Sequence, residues 1–402
     1  MSLKTALYKK KIISELYFNG DLSCADLSLK TDKSIPLTTK ILNELIDEGY
    51  VIETGYANST GGRRPLVFSL NKQVMYVLSV AMDQFVTRIA LMDMQNRYVT
   101  EIEKFELNLY QNKNSLSELT EKISSFLKKL KIDKEKIAGI GIAMPGFVDV
   151  KKGINYSLLL SNNKSIPEHI SQEVELPVYI DNDSSLIALA ELRFGAVKHR
   201  KDTMVVNIGW GVGLGMIING KMFRGHNGFA GEFSHIPLFT NDKLCSCGKK
   251  GCLETETSLL VIVEKARKGL REGRVSVLQK AAMDNLEDAS DAILSAASAG
   301  DQFAVELLSD AGYELGKGIA ILIHILNPEI IVLSGRGAAA GKVWLAPIQQ
   351  AINEHCIPRI AANTSIELSG LDYQAELIGA TALVMENFEK ATAKNYFANL
   401  NN

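Results

Sequence analysis

Residues 228–254 read GFAGEFSHIPLFTNDKLCSCGKKGCLE, and this stretch restricts the fold more than any other in the chain. His235, Cys245, Cys247 and Cys252 place one imidazole and three thiols within eighteen residues. A Cys-x-Cys pair, a third Cys close behind it and a His ten residues upstream suit a closed tetrahedral zinc site. Gly248 and Gly251 permit the tight turns through which three sulfurs can converge. Buried free thiols or a redox pair are the competing reading of the same residues. Glu232 and Glu254 flank the set and are surplus to a complete four-ligand shell, which leaves them available for another partner.

The chain has 402 residues, is 46% hydrophobic and carries a formal charge of −2, enough length for two or three domains with sizeable cores. Balanced charge gives no sign of a polyanion partner, so any nucleic-acid contact has to be local. Cys24 and Cys356 lie in mixed helical sequence and read as core or half-buried thiols. The opening MSLKTALYKKKI is basic but lacks the apolar run and small-residue cleavage site of a secretion signal. The most apolar later stretch, Gly316 to Leu333, is interrupted by His324, Asn327, Pro328 and Glu329, which argues against a membrane span. A cytoplasmic, soluble protein is expected, and a reducing compartment is compatible with zinc thiolates.

The first 71 residues carry their own pattern. Tyr8 to Phe18 reads as a helix ended by Asn19-Gly20, with Ile12, Ile13 and Leu16 on one side. Ser23 is placed to cap a second helix, and Ser34 a third, in which Leu37, Ile41, Leu42, Leu45 and Ile46 form the apolar face. Two strand-like runs follow, Tyr50 to Thr54 and Pro65 to Leu70, joined by GYANSTGGRR. Three short helices and a hairpin are the winged helix-turn-helix layout, whose third helix enters the DNA major groove. Thr38, Thr39, Lys40 and Asn43 are the expected groove-facing residues, and Arg63 and Arg64 on the glycine-rich wing suit phosphates or the minor groove. Lys9, Lys10 and Lys11 add positive charge near the start. A small helical dimerisation or lid domain is the alternative.

Beyond Asn71 the pattern becomes α/β. Strands are expected at Val74–Ala81, Thr87–Met92, Tyr98–Phe105, Ile137–Met144, Val174–Ile180, Thr203–Ile208, Leu214–Ile218 and Ile330–Leu333, with a short one around Ile366. Helices are expected at Leu116–Leu130, Ser185–Phe194, Leu259–Leu270, Val277–Ala282, Leu286–Ala297, Phe303–Leu326, Trp344–Cys356 and Glu376–Phe388. Asp181-Asn182-Asp183 closes one strand just before a helix, a good position for a ligand crevice. A helix cap accounts equally for Asn182 and Asp183, and one loop can do both. The expected division is 1–71 winged helix, 72–195 first lobe, 196–390 second lobe with the zinc loop, and 391–402 tail. The last helix is expected to return to the first lobe.

These residues resemble the ROK family (repressors, open reading frames, sugar kinases) over nearly the whole chain. The most specific match is GEFSH followed by CSCGKKGCLE, then Pro145-Gly146 with Asp149, Asn182-Asp183 before a helix ending in Ala190-Glu191, and NPEIIVLSGRG. The resemblance implies a two-lobed actin-like, hexokinase-type body behind the winged helix, assembled as homodimers or homotetramers. It implies sugar contacts by Asn182, Glu232, Glu254 and the zinc ligand His235, and in family kinases the residue matching Asp183 is the catalytic base.

The phosphate loops depart from the kinase pattern. Where family kinases have D-x-G-G-T, this chain has Ala81-Met82-Asp83-Gln84-Phe85, without the glycines that let backbone approach phosphate. The second loop, usually L-G-T-G-x-G, reads Ile208-Gly209-Trp210-Gly211-Val212-Gly213, with an indole in place of a hydroxyl. Phosphoryl transfer depends on positioning and neutralising the transferred group. The expectation is therefore a sugar-responsive repressor that binds operator double-stranded DNA. Its effector is a sugar or sugar phosphate, its Zn2+ is structural, and ATP is not expected to bind. An active hexose kinase with Asp183 as base is the alternative.

Overall fold

The computed structural model describes residues 3–57, 64–110, 112–159, 161, 164–278 and 280–389. They form two compact units, one running to Asp181 and resuming at Ala380, the other spanning Asn182–Gly379.

The first unit opens with helix α1 (Leu3–Asn19), the short strand β1 (Leu22–Ser23), helices α2 (Cys24–Thr31) and α3 (Ile35–Asp47), and a hairpin of β2 (Val51–Tyr56) and β3 (Leu66–Leu70). Strand β3 lies between β1 and β2 and is antiparallel to both, completing a winged helix-turn-helix. Ser23 starts α2 with a capping box: its hydroxyl accepts from the Asp26 N–H while the Asp26 carboxylate accepts from the Ser23 N–H. Helix α3 buries Thr38, Ile41, Leu42 and Leu45 along one stripe.

Side chains of α1 fix α3 in place, and they include the lysines that add charge near the start of the chain. The Tyr8 hydroxyl lies 2.6 Å from Thr38 Oγ1 and 3.2 Å from Thr31 Oγ1. Lys9, only 2% exposed, bonds Glu44 at 3.0 Å and Glu48 at 2.5 Å, both on or at the end of α3. Burial works against its charge, but the bonds to Glu48 and Glu44 carry its pKa above the ordinary lysine value. Lys10 is fully buried with its ammonium 5.1 Å from the centre of the Phe388 ring, and burial lowers its pKa. Lys11 donates to the Thr31 carbonyl. Packing against α3 and Phe388 overrides the surface placement that a lysine run normally takes.

The rest of this unit is a five-stranded sheet. Strands β4 (Tyr76–Met82), β5 (Val86–Asp93) and β6 (Glu103–Glu106) form an antiparallel meander. Helix α4 (Ser115–Lys129) leads to β7 (Ile137–Met144), which is parallel to β4. A small ladder of β8 (Val148–Asp149) and β9 (Ile154–Asn155) precedes helix α5 (Ile166–Val174) and edge strand β10 (Val178–Asn182). Leu119, Ile123 and Phe126 of α4 and Ile166, Ile170 and Val174 of α5 pack on Leu78, Val80, Ile140 and Ile142. The strand expected from Val174 thus begins at Val178. Ile166, Ile170 and Val174 follow helical spacing, Ser165 caps α5, and Glu175 ends it at a φ of 52°. The expected strand from Tyr98 to Phe105 is also shorter, since Tyr98 makes only an isolated bridge to Met92.

The second unit repeats the same sheet. It opens with helix α6 (Asp183–Phe194), then β11 (Thr203–Ile208), β12 (Val212–Ile218) and β13 (Lys221–Met222). The zinc-type loop is followed by α7 (Glu254–Thr257), α8 (Leu259–Arg271), α9 (Leu286–Ser298) and α10 (Gln302–Leu326). Strand β14 (Ile330–Ser334), α11 (Leu345–His355), α12 (Pro358–Ala361) and β15 (Ser365–Leu368) follow, and α13 (Ala375–Asn387) begins in this unit and passes into the first at Ala380. Between α8 and α9 the expected helix at Val277–Ala282 is only a 3-10 turn, Lys280–Met283. Counting strands within each sheet, both read 3-2-1-4-5, an antiparallel meander followed by parallel additions.

Helix α6 lies directly on β12 because Gly213 and Gly215 carry no side chain. A Cβ at Gly213 would overlap the Ser184 hydroxyl, and one at Gly215 would overlap Ala188 Cβ. Gly215→Ala is expected to cost about 1–3 kcal/mol through overpacking, read as a lower urea midpoint with an unchanged slope.

Candidate functional site

The four sulfur and nitrogen donors meet in one place. His235 ends a short 3-10 turn, Phe233–His235. Bridges between Pro237 and Cys252 and between Leu244 and Lys250 fold the following loop back on itself. The Cys245 N–H donates to the Lys249 carbonyl and the Gly248 N–H to the Cys245 carbonyl, closing a knuckle around the Cys-x-Cys pair. Gly251 (φ 74°) passes so close to the Phe239 carbonyl that a Cβ there would collide with it.

Donor atoms of His235, Cys245, Cys247 and Cys252 all lie within 4.8 Å of one another. Cys245 Sγ is 3.4 Å from His235 Nδ1, and Cys247 Sγ is 3.6 Å from Cys252 Sγ. Zn–S bonds of about 2.3 Å and Zn–N bonds of about 2.0 Å make tetrahedral edges of about 3.5–3.8 Å, so the donor set fits a structural Zn2+. All four residues are buried or half-buried, as a closed site requires. In the thiol form burial pushes Cys252 up to about 12 and also raises Cys245. Burial opposes ionisation of Cys247 too, but the Lys249 N–H and the neighbouring thiols hold its pKa below the ordinary thiol value.

The two glutamates flanking the loop take different positions. Glu232 Oε2 is 3.6 Å from His235 Nε2, the ring nitrogen turned away from the sulfurs. A carboxylate facing the outer nitrogen of a metal-binding His is the arrangement that fixes its tautomer. Burial, partly offset by His235 and reinforced by Glu254, raises the pKa of Glu232. Glu254 begins α7; one of its oxygens lies 3.7 Å from Cys245 Sγ, and the other accepts from the Val212 N–H at 3.2 Å. The zinc-type loop is thereby joined to the first residue of β12, a contact across 42 residues that no local pattern signals.

Asn182 and Asp183 stand at the start of α6. Asn182 Oδ1 accepts from the Ser184 and Ser185 N–H groups, and Asp183 Oδ1 accepts from the Ser184 N–H at 2.7 Å. The cap expected for this pair is present, and both side chains remain half-buried rather than enclosed. Ser184 in turn accepts from Asn207 Nδ2 at the end of β11. Asn207 and Glu256 are participants that motif reading missed. Glu256 binds Lys243 at 2.6 Å, Lys265 at 3.1 Å and Asn241 at 2.8 Å, tying the zinc-type loop to α8. The signal available was Asn207 as a polar residue inside the buried run TMVVNI.

The two stretches matched to phosphate loops carry internal partners. Asp83 Oδ1 accepts from the Phe85 and Val86 N–H groups, each at 2.8 Å, closing the β4–β5 hairpin. In the second stretch Trp210 is buried, and the Arg336 guanidinium lies 5.4 Å from its ring centre and 4.6 Å from that of Tyr373. Arg336 pairs with Glu287 and with Asp291 at 2.9 Å; burial works against its charge, but Tyr373, Asp291 and Glu287 hold its pKa above the ordinary range.

On the winged helix, Thr39, Lys40 and Asn43 are exposed on α3, as is Arg64 on the wing; Arg63 lies outside the described residues. Thr38 does not belong with them. It is fully buried, and its hydroxyl is bonded to Tyr8 and to the Ser34 carbonyl, so it holds the helix rather than facing a groove. Ile35 and Leu37, 55% and 40% exposed, are apolar residues on the same helix that the sequence placed in its core or left unassigned.

The ROK family profile matches residues 86–387, and a winged helix-turn-helix DNA-binding profile matches residues 7–52. The chain belongs to the ROK family. It is similar along its length to the xylose repressor of Caldicellulosiruptor bescii, 30% identical over 397 residues, covering 96% of this chain and 97% of that one. The N-acetylglucosamine repressor of Escherichia coli O157:H7 is also 30% identical, over 91% of this chain and 89% of that one. A glucokinase of Halalkalibacterium halodurans is 36% identical over 63% of this chain and 78% of its own. Among solved structures, a ROK-family transcriptional regulator homologous to the E. coli MLC protein superposes with a TM-score of 0.77 at 27% identity, covering 96% and 97% of the two chains. This ROK protein therefore joins a winged helix-turn-helix to a sugar-kinase-like body with a His/Cys cluster able to hold a metal ion. Among its described residues no helix is long and apolar enough to cross a membrane.

Zinc analysis of the purified chain is expected to find one ion per chain, reduced to a small fraction in Cys252→Ser. Because Cys252 is protonated up to about 12 without metal, loading displaces protons, and zinc affinity is expected to fall as pH falls. Chelator titrations at several pH values, followed with a zinc-sensitive dye, measure this.

Proposed function

We propose that this ROK protein is a sugar-responsive transcriptional regulator that acts as a repressor and no longer uses ATP. Thr39, Lys40, Asn43, Arg63 and Arg64 contact operator DNA. Asn182, Asp183, Glu232, His235 and Glu254 bind a sugar or sugar derivative, and His235, Cys245, Cys247 and Cys252 hold a structural Zn2+. The functional boundaries are 1–71 for the winged helix, 72–195 and 196–390 for the two lobes, and 391–402 for the tail. The protein works in the cytoplasm as a homodimer or homotetramer, since paired half-sites require paired recognition helices.

One observation carries this reading: the DNA module is attached to a body whose candidate ligand carboxylates surround a metal-type loop, while donors in both phosphate-loop stretches are bonded internally. Asp83 takes the Phe85 and Val86 N–H groups, and Glu254 takes the Val212 N–H. A phosphate arriving at either stretch meets a carboxylate already in the anion position, which opposes the charge neutralisation that phosphoryl transfer needs. The Arg336 stack on Trp210 adds bulk beside the second. Carboxylates and amides remain suited to paired hydrogen bonds with vicinal hydroxyls. The names of the full-length relatives place xylose and N-acetylglucosamine first among sugars to test.

A sugar switches the protein only through unequal affinity for the DNA-competent and DNA-incompetent states. Thermal shifts with xylose, glucose, N-acetylglucosamine and their phosphates are expected to identify one stabilising ligand, and Glu232→Gln is expected to abolish that shift. Sugar-dependent release of ADP from ATP, lost in Asp183→Asn, would overturn the regulator reading in favour of a kinase. In gel shifts, Lys40→Ala is expected to lower the slope of log affinity against log salt by about one, the signature of a lost phosphate contact.

A further inference from the structure

Helix α13 is shared by the two units, its residues up to Gly379 packing within the second and those from Ala380 within the first. Helix α6 starts with Asn182 and Asp183; one turn later its Leu186 carbonyl lies against Gly379 of α13, where a Cβ would overlap it. From Ala380 onward α13 is clamped to the first sheet. The Ala380 carbonyl lies against Gly141 of β7, and Thr381 Oγ1 is 2.9 Å from Ser79 Oγ of β4, both hydroxyls buried. Immediately past the helix, Phe388 is 1% exposed and lies under the ammonium of Lys10 on α1. The neighbouring residues of α1, Tyr8 and Lys9, reach Thr38, Glu44 and Glu48 of the recognition helix and its C-terminal cap.

We propose that α13 transmits ligand binding to the DNA module, with Phe388 and Lys10 as the residues that couple its end to α1. The inference rests on the sugar-responsive reading and names the route by which the response reaches α3. Close-packed contacts of this kind pass displacement on because no void absorbs it. The two glycines are central: at Gly379 and Gly141 helix backbone touches helix or strand backbone directly, with no flexible side chain to take up a shift. At the far end, a buried ammonium over an aromatic face has one preferred placement, so displacement of Phe388 is felt by α1. Neither Phe388 nor Lys10 belongs to the proposed sugar, metal or DNA contacts, so both can be changed without touching those sites.

The test uses the full-length, zinc-loaded chain, a DNA duplex selected from a random pool by the wild-type protein, and D-xylose, D-glucose and N-acetyl-D-glucosamine as probes. In the wild type one sugar is expected to change duplex affinity by about tenfold, within the usual range of allosteric coupling. Phe388→Ala is expected to keep the sugar-induced thermal shift and the duplex affinity without sugar, while the sugar effect on affinity falls below about twofold. Lys10→Met, which keeps the volume and removes the charge, gives the same reading if Phe388→Ala fails to fold. A variant that responds to sugar like the wild type overturns the inference and leaves the sugar-responsive reading standing. If no probe alters wild-type affinity, that reading fails for these sugars, and linkage is read from the DNA side. Adding duplex is then expected to slow hydrogen exchange at the Ser184 and Ser185 amides in the wild type but not in Phe388→Ala; unchanged exchange in the wild type overturns the inference.

Discussion

At Gly213 and Gly215 of β12 there is no room for a side chain, and the candidate site follows from that. Ser184 and Ala188 of α6 occupy the space above Gly213 and Gly215, which sets the helix start, with Asn182 and Asp183, beside the strand. The first residue of the same strand offers the Val212 N–H to Glu254, which in turn touches Cys245 of the metal-type loop. One strand therefore gathers an amide, several carboxylates and a His/Cys cluster contributed by segments far apart in the chain. A side chain at Gly215 would push on Ala188, and one at Gly213 on the Ser184 hydroxyl that accepts from Asn207.

Charge substitution is the second theme. Carboxylates of Asp83 and Glu254 accept from the backbone N–H groups of Phe85, Val86 and Val212. The donors are satisfied, as buried amides must be, without an external anion. At the second stretch a guanidinium stacked on Trp210 and Tyr373 is neutralised by Glu287 and Asp291, so the substitution is complete in both hydrogen bonding and charge.

What could be read from sequence had local causes. The metal-type cluster was legible because four soft ligands in a short window with glycine turns have few other solutions. The winged helix was legible from cap residues and apolar stripes, and β7, β11, β12 and β14 from continuous apolar runs. Thr38 was misplaced because its partner, Tyr8, lies 30 residues away, and threonine on a helix looks the same whether it faces a groove or a phenol. The partners of Lys9 were out of reach for the same reason, since nothing near it in sequence announces Glu44 and Glu48. Helix α5 was hidden by a following strand of similar apolarity, and the Glu254 contact to Val212 joins elements that only tertiary packing brings together.

The burial of Lys9 and Lys10 bears on how the protein searches a genome. Each exposed cation near DNA releases a counterion from the duplex and strengthens binding to every sequence alike. Two of the three lysines at the start of α1 are withdrawn from that role, one neutralising carboxylates of the recognition-helix region and the other held against Phe388. The module therefore has less indiscriminate attraction than its sequence suggests, and fewer copies are sequestered on bulk DNA. Since a genome offers on the order of a million or more competing sites, such a restraint bears on the balance between a specific site and bulk DNA.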